Sequence, residues 1–511
     1  MRIIRFFISS IFLLLGLAAP AYAQARDCAA LTGLDIDDVR ITAAESIPGG
    51  TRWDFPPSPF NVFMGPNAAT EAAFCRVAGV IEQEIRFEVW LPPEWNGRFL
   101  GVGNAGLTGG INYPALATGI GGGFATASTD TGHQTPDNFF DASWVEGHPD
   151  RVENFGHRAH HLLAEKAKQV VEAYYGRAPH HSYYDGCSSG GWQGLTEAQL
   201  YPDDYDGIVA GAPANNFVRL QTRGFWLDAL AREEPAGNLG EAEIAVISAA
   251  ALAACDPADG VGDGIIGDPI RCGFDPVSLL CTPGRSDGCL TQAQVDRARR
   301  VYGPARTEAG AALYPGNAYG VPPFFNIPNV DPEPMIMKVV PASERSWTAE
   351  TFDPDRDFPA LEQRLGPVLG AFNPDLRRFR DSGGKLIVWH GWADGLLSPY
   401  NSVAYHEAVA AEIAPDEVRD FFRLFMVPGV EHCRGGPGTD QFDLLSAAMA
   451  WVEQGQAPDR ILARGRTPDG GTRTRPLCPY PQVAVFGGSG SSDDAASFTC
   501  SVPQDGEATT R

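Results

Sequence analysis

The sequence predicts an α/β protein with a mainly parallel central sheet and one large insertion, and three observations support this. Short β-rich runs alternate with helical patterns, as expected where helices connect parallel strands. Two of the strand patterns, at residues 207–210 and 385–389, stand about 170 residues apart, whereas connections in such sheets are normally a few residues long. The chain has 511 residues, enough for one large core or for two domains.

Six segments have the composition of buried strands, rich in aliphatic, β-branched and aromatic residues. They are residues 98–102, 124–129, 181–185, 207–210, 385–389 and 421–427. A helical pattern runs from Phe155 to Tyr174 and ends at Gly176. We interpret the insertion, residues 215–384, as a lid domain over the carboxyl edge of the sheet, where such sheets bind ligands. Residues 24–214 and 385–511 then form the sheet domain.

The first 23 residues have the pattern of a signal peptide. Arg2 and Arg5 precede a short apolar run, and Ala21-Tyr22-Ala23 has the small-x-small form of a cleavage site. The apolar run is short for a membrane-spanning helix, although an uncleaved anchor is the alternative. We therefore expect residues 1–23 to be removed and the mature protein to be secreted or periplasmic, with no attachment to the membrane.

Ten cysteines follow the predicted cleavage site, and none form a C-x-x-C pair. In an exported chain, an even number of cysteines favours disulfides over metal thiolates. The sequence does not fix how they pair; they are Cys28, Cys75, Cys187, Cys255, Cys272, Cys281, Cys289, Cys433, Cys478 and Cys500. The net charge of −24 disfavours binding to nucleic acid or to an anionic membrane.

The strand at residues 181–185 leads into Gly186-Cys187-Ser188-Ser189-Gly190, and a helical pattern follows. This is G-x-S-x-G between a strand and a helix, the nucleophile elbow of the α/β-hydrolase fold. Ser188 is the expected nucleophile, and the N–H of Ser189 is placed to donate to an oxyanion. The alternatives are a glycine-rich turn without chemistry, a Cys187 thiolate, which the even cysteine count disfavours, and Ser189 as the nucleophile.

In α/β-hydrolases the acid and the histidine follow the nucleophile in that order. Asp394 lies in the loop after the strand at 385–389, and His432 lies in the loop after the strand at 421–427. His390 is the main competitor for the base, and we interpret it as orienting or packing the turn. If Ser188 and His432 are within hydrogen-bond reach, their neighbours Cys187 and Cys433 are close enough to bridge.

Residues 101–106 match G-x-G-x-x-G after a strand, which is also a dinucleotide-binding pattern. No helical pattern opens there, because residues 107–111 continue as a loop, so a dinucleotide site is not expected. In a hydrolase this loop supplies the second oxyanion N–H, and we assign that role to Gly106.

Three segments, residues 184–194, 207–214 and 384–394, resemble the tannase and feruloyl esterase family of secreted serine esterases. The resemblance covers essentially all of the mature chain. It implies hydrolysis of aromatic-acid esters through a serine–acyl intermediate, a lid domain, and a disulfide between Cys187 and Cys433. It also places the triad on Ser188, Asp394 and His432. The family usually has a fuller glycine run where Ala105 interrupts this one.

An acidic turn in the insertion carries Asp256, Asp259 and Asp263 among several glycines. Three carboxylates on one tight turn repel each other unless a hard cation with oxygen ligands binds them. The spacing is not that of an EF-hand. The family resemblance implies a structural Ca²⁺ held by these carboxylates and the carbonyls of Val261 and Ile265, with Cys255 and Cys272 flanking the loop. A solvated acidic turn is the alternative.

A small aromatic ester is therefore the expected partner, of the feruloyl or galloyl type. The mono-ester of terephthalate is an alternative within the same class of enzyme. A non-catalytic binder of aromatic glycosides or plant-wall polymers belongs to another class, and the Ser, Asp and His in their expected order argue against it. Five aromatic residues are candidates for a ring-binding pocket or for ordinary core: Phe225, Trp226, Phe324, Phe325 and Trp347.

Overall fold

The computed structural model describes residues 26–62, 68–135, 139–284, 287–321 and 335–503. The predicted signal peptide, residues 1–23, lies outside the described residues, as do Phe324 and Phe325. In the described part of the chain, no helix is both long enough and apolar enough to cross a membrane.

The strands and helices of these ranges are numbered in chain order. The strands are β1 (Val39–Ile47), β2 (Trp53–Asp54), β3 (Ala69–Thr70), β4 (Phe74–Ile81), β5 (Ile85–Leu91), β6 (Arg98–Val102), β7 (Ala125–Thr129), β8 (His181–Cys187), β9 (Gly207–Gly211), β10 (Ala305–Arg306), β11 (Ala312–Tyr314), β12 (Lys385–Gly391), β13 (Phe422–Val427), β14 (Ile461–Arg466), β15 (Thr472–Leu477), β16 (Val483–Phe486) and β17 (Phe498–Ser501). The α-helices are α1 (Tyr113–Gly121), α2 (Pro149–Glu153), α3 (Ala159–Tyr175), α4 (Ser189–Leu200), α5 (Phe217–Glu233), α6 (Glu241–Cys255), α7 (Gln292–Tyr302), α8 (Met335–Val339), α9 (Pro354–Leu369), α10 (Arg377–Asp381), α11 (Pro399–Ile413), α12 (Pro415–Val418) and α13 (Leu444–Gln454).

Nine strands form the central sheet in the order β1-β4-β5-β7-β6-β8-β9-β12-β13. From β7 to β13 each neighbouring pair is parallel. The pairs β1–β4, β4–β5 and β5–β7 are antiparallel. All six predicted strands lie in the parallel part, so the predicted mainly parallel sheet is confirmed.

The parallel strands are buried on both faces, because helices cover both sides of the sheet. In β9, Ile208 and Ala210 pack in the core cluster that contains helix α3. Val209, whose side chain points to the other face, packs in the cluster that contains helix α13. This two-sided burial explains why residues 208–210 of β9 and residues 386–389 of β12 are apolar on both faces.

The insertion between β9 and β12 contains its own hydrophobic clusters. Helices α5 and α9 share one cluster with Trp192 of α4 and with Leu397, which follows β12. A second cluster surrounds α6 and α7. Helix α10 packs instead into the core of the sheet, through Phe379 and the preceding Leu376. The first insertion cluster therefore rests directly on the helix that follows the elbow.

The predicted disulfides are confirmed, with five bridges and no free cysteine in the described residues. The pairs are Cys28–Cys75, Cys187–Cys433, Cys255–Cys272, Cys281–Cys289 and Cys478–Cys500.

Candidate active site

Ser188 occupies a sharp turn between β8 and α4. Its backbone has φ 66° and ψ −123°, a conformation that costs energy for a residue with a side chain. The Ser188 N–H donates to the carbonyl of Gly211 over 2.9 Å, which holds the turn against β9. A Cβ at Gly190 would lie 2.9 Å from the carbonyl oxygen of Asn104, so only glycine fits there. The turn therefore presents the Ser188 hydroxyl above the sheet edge, at the N-terminus of a helix.

The structure brings Ser188, Asp394 and His432 together in loops at the carboxyl ends of β8, β12 and β13. His432 Nε2 lies 2.9 Å from Ser188 Oγ, and His432 Nδ1 lies 2.7 Å from Asp394 Oδ2. These are the two contacts that a base needs, one to the nucleophile and one to an orienting carboxylate.

Asp394 is fully buried and its carboxylate is surrounded by donors. Oδ1 accepts hydrogen bonds from the N–H groups of Leu396, at 2.8 Å, and Leu397, at 2.9 Å. Oδ2 accepts from His432 and also from His390 Nε2 at 3.0 Å. Burial opposes ionisation, but the charge and hydrogen bonds of the two histidines hold the pKa of Asp394 well below its usual range. The carboxylate is therefore ionised, and His432 carries its proton on Nδ1.

The two predicted oxyanion residues lie side by side. Ser189 begins α4, so its N–H belongs to the first helical turn, which has no partner within the helix. The Ser189 hydroxyl donates to the carbonyl of Gly106 over 2.6 Å. Gly106 has φ 59°, and a Cβ there would lie 2.3 Å from the carbonyl oxygen of Phe139. The assignment of the second oxyanion N–H to Gly106 stays a prediction.

The disulfide between Cys187 and Cys433 lies directly beside the candidate nucleophile and base. It joins residues 246 positions apart, with 6.0 Å between their Cα atoms. Cys433 has φ 63°, so the loop that carries His432 turns sharply at the bridge. The bridge ties this loop to the elbow.

The acidic turn combines satisfied and unsatisfied carboxylates. Asp256 accepts hydrogen bonds from the N–H groups of Asp263 and Gly264, both at 3.0 Å. Asp263 pairs with Arg475 through Oδ2, while its Oδ1 is buried and has no hydrogen-bond partner in the part of the chain that the structure describes. Burial and the nearby charges of Asp263 and Asp256 raise the pKa of Asp259 to about 6.

This donor set has the hard oxygen chemistry that Ca²⁺ prefers, and the orphaned Asp263 oxygen fits such an ion. Among the described residues, however, no three His, Cys, Asp or Glu side chains converge in a metal-holding group. The ion pair between Asp263 and Arg475 contributes to this lack of convergence, because one oxygen of the Asp263 carboxylate contacts the arginine. Calcium binding here stays a prediction.

Sequence reasoning did not identify two hydrogen bonds of this site, from His390 to Asp394 and from Ser189 to Gly106. The first could be found in the H-x-x-x-D spacing after a strand, which we interpreted only as a turn. Of the aromatic candidates, Phe225 and Trp347 pack against Phe352 in the buried core of the insertion. They are ordinary core residues.

A mainly parallel sheet with a strand–serine–helix elbow, an acid after β12 and a histidine after β13 defines an α/β-hydrolase. The chain matches the tannase and feruloyl esterase family over residues 69–321 and 341–501. It belongs to that family of ester hydrolases.

Three relatives illustrate the match. An uncharacterized esterase of Xanthomonas campestris pv. campestris is 36% identical over 93% of this chain and 91% of its own length. Mono(2-hydroxyethyl) terephthalate hydrolase of Piscinibacter sakaiensis is 33% identical over 86% of each chain. The crystal structure of feruloyl esterase B from Aspergillus oryzae is similar with a TM-score of 0.82 and 29% identity, over 92% of this chain and 98% of that one.

Proposed function

We propose that this protein is a serine carboxylic ester hydrolase that cleaves esters of feruloyl- or galloyl-type aromatic acids through an acyl-enzyme. The observation that supports this most strongly is the contact of 2.9 Å between His432 Nε2 and Ser188 Oγ, with Asp394 bonded to the opposite ring nitrogen. A serine hydroxyl is a weak nucleophile until a base takes its proton.

In the acylation step, Ser188 Oγ attacks the ester carbonyl carbon while His432 Nε2 accepts the hydroxyl proton. The carbonyl oxygen becomes an oxyanion, which the N–H groups of Ser189 and Gly106 stabilise. Asp394 stabilises the positive charge that forms on His432. The tetrahedral intermediate then collapses, and His432 gives its proton to the departing alcohol.

Deacylation repeats these roles with water as the nucleophile. His432 Nε2 takes a proton from water, and the resulting hydroxide attacks the acyl carbonyl. Collapse of the second intermediate returns the proton from His432 to Ser188 Oγ and releases the aromatic acid. The neutral imidazole of His432 is needed at the start of both steps.

The substrate class rests on the relatives. Several are named feruloyl esterases, one of them a probable feruloyl esterase B of Aspergillus clavatus, 32% identical over 96% of this chain and 99% of its own. The relative named for mono(2-hydroxyethyl) terephthalate supports a second candidate, the same chemistry on a terephthalate mono-ester. In either case residues 215–384 are proposed to form the lid, because the α5–α9 cluster packs on Trp192 just after the elbow.

The test is a hydrolysis panel of methyl ferulate, methyl gallate and mono(2-hydroxyethyl) terephthalate, with Ser188→Ala as the control. We expect turnover of at least one ester by the native protein and none above background by the variant. A preference for the terephthalate ester would select the second candidate. Failure on all three esters would contradict the proposed function.

We also propose a structural Ca²⁺ at the acidic turn and export of the chain. Asp256, Asp259 and Asp263, with the carbonyls of Val261 and Ile265, would hold the ion, which would offset the repulsion among the three carboxylates. The Cys255–Cys272 bridge closes this turn. Export is supported by the five disulfides, which persist mainly in oxidising compartments.

A further inference from the structure

Two histidines share one oxygen of the candidate catalytic acid. Asp394 Oδ2 lies 2.7 Å from His432 Nδ1 and 3.0 Å from His390 Nε2. The side chains of His390 and Asp394 are both fully buried, whereas the His432 side chain is 22% exposed. Only one of the two histidines therefore contacts the nucleophile, and the other lies behind the acid.

The hydrogen bonds define the protonation of His390. Because Asp394 is ionised, His390 Nε2 donates to it and must carry a proton. The other ring nitrogen, Nδ1, lies 2.8 Å from the hydroxyl of Ser402, which donates to it when the ring is neutral. Ser402 is buried in helix α11. Ser402 of α11 therefore donates to His390 of β12, and His390 donates to the Asp394 carboxylate that His432 also contacts.

We propose that His390, held by Ser402, is a positioning residue that sets both the orientation and the basicity of Asp394 for His432. Two backbone N–H groups fix Oδ1, and His390 fixes Oδ2, so the carboxylate cannot rotate away from His432. By sharing Oδ2, His390 also withdraws part of the negative charge that stabilises the His432 imidazolium. The proposal rests on the proposed function, since it assigns His432 as the base.

Other titratable groups face this pair, and the test must separate them from His390. Tyr314 of β11 is buried near Asp394 and interacts with its charge. Glu431 and Arg434 flank His432 in the loop after β13. None of these three residues is changed in the variants below, so their electrostatic effect on the site is common to all the variants.

The test compares His390→Ala, His390→Gln and Ser402→Ala by their kcat, KM and pH profile on the best ester of the panel. Glutamine can donate from a position close to Nε2, so it is the conservative variant. Helix α11 offers a matched control, His406→Leu, because His406 is a half-buried histidine that packs on Phe422 and Tyr480 instead of Asp394. Rates are divided by the concentration of active sites, titrated with a fluorophosphonate, so that misfolded protein does not contribute.

We expect His390→Ala to lower kcat by about 10- to 100-fold with little change in KM, because an orienting partner of the triad is lost. The acidic limb of kcat/KM should move to higher pH, since Asp394 then places its full charge on His432. His390→Gln should recover most of the native kcat and most of the native acidic limb. Ser402→Ala should show smaller changes in kcat and in the acidic limb, and His406→Leu should show neither change.

A His390→Ala protein with native kcat per active site and a native acidic limb would overturn the proposal. So would a glutamine variant no better than alanine, which would indicate a packing role. In both cases the native protein still hydrolyses ester and the proposed function stands. If the native protein hydrolyses no ester of the panel, the proposed function and this inference fail together.

Discussion

At the scale of single residues, Ser188 is held in a turn that only glycine neighbours allow. The G-x-S-x-G motif needs glycine where two backbone segments pack closely. Gly190 is such a position, because its backbone packs against the carbonyl of Asn104. The contacts among Asp394, His390 and Ser402 were not predicted, because they depend on where α11 packs against β12. Such a contact has no local signature.

A second buried carboxyl gives a test of stability against pH. Asp130 follows β7, and burial raises its pKa to about 7 although the N–H groups of Arg86 and Gly132 bond to Oδ1. Its Oδ2 is buried and has no hydrogen-bond partner among the described residues. The pKa of Asp130 is higher in the folded protein than in the unfolded chain. Its contribution to the stability of the fold is therefore largest below about pH 4 and is lost as the pH rises through 7.

We therefore expect the stability of the native protein, relative to Asp130→Asn, to decline between about pH 4 and pH 7, by up to the order of 4 kcal/mol. Thermal midpoints of both proteins at pH 4, 5.5, 7 and 8 measure this. Asp416→Asn is the control, because the side chain of Asp416 is 94% exposed. A difference between native protein and Asp130→Asn that stays constant with pH would refute the expectation.

At the scale of elements, the parallel strands were predictable and the antiparallel edge was not identified. Strands β9, β12 and β13 bury apolar residues on both faces, which makes nearly continuous apolar runs in the sequence. In β1, by contrast, half-buried and exposed residues alternate over residues 39–43, so its apolar residues do not form a continuous run. The antiparallel pairs β14–β15 and β16–β17, which lie outside the main sheet, were also missed.

The bridge between the elbow and the His432 loop makes the most specific prediction at this scale. Replacing Cys187 and Cys433 by Ala frees the loop that carries the base, so kcat should fall more than in any other cysteine-pair variant. The stability should also fall, because the bridge closes a long loop, worth about 5 kcal/mol if the stabilisation is purely entropic. Steady-state kinetics and thermal midpoints measure the two effects.

The matched control is the double change of Cys281 and Cys289 to Ala, since that bridge spans only 8 positions in the insertion. It should keep native kcat with a smaller loss of stability. Equal losses of kcat in the two double variants would contradict a role of the Cys187–Cys433 bridge in holding the base.

At the scale of the whole molecule, the sheet supports the three triad loops and the insertion rests on the helix after the elbow. The long gap between two strand patterns led us to predict a lid domain at residues 215–384, and its role as a lid stays a prediction. The sequence could not predict which side chains of the insertion pack on α4, since that contact joins residues far apart in the chain. The acidic turn lies in the same insertion, next to β15 through the ion pair of Asp263 with Arg475.

Calcium at that turn would act on stability and not on the chemical step. Removal of metal with EDTA should lower the thermal midpoint, and added Ca²⁺ should restore it, because an ion that binds only the folded state stabilises it. Asp259→Asn is the matched variant, and its midpoint should no longer respond to either treatment. Elemental analysis that finds no bound calcium in protein purified without chelator would contradict the proposal.

The measurement that tests the central claim most directly is covalent labelling with a fluorophosphonate, followed by peptide mapping. We expect one adduct, on Ser188, formed in step with the loss of ester hydrolysis. His432→Ala should label far more slowly, because the base that activates the hydroxyl is gone. An adduct on Ser189 or elsewhere, or a Ser188→Ala protein that keeps native turnover, would contradict the account.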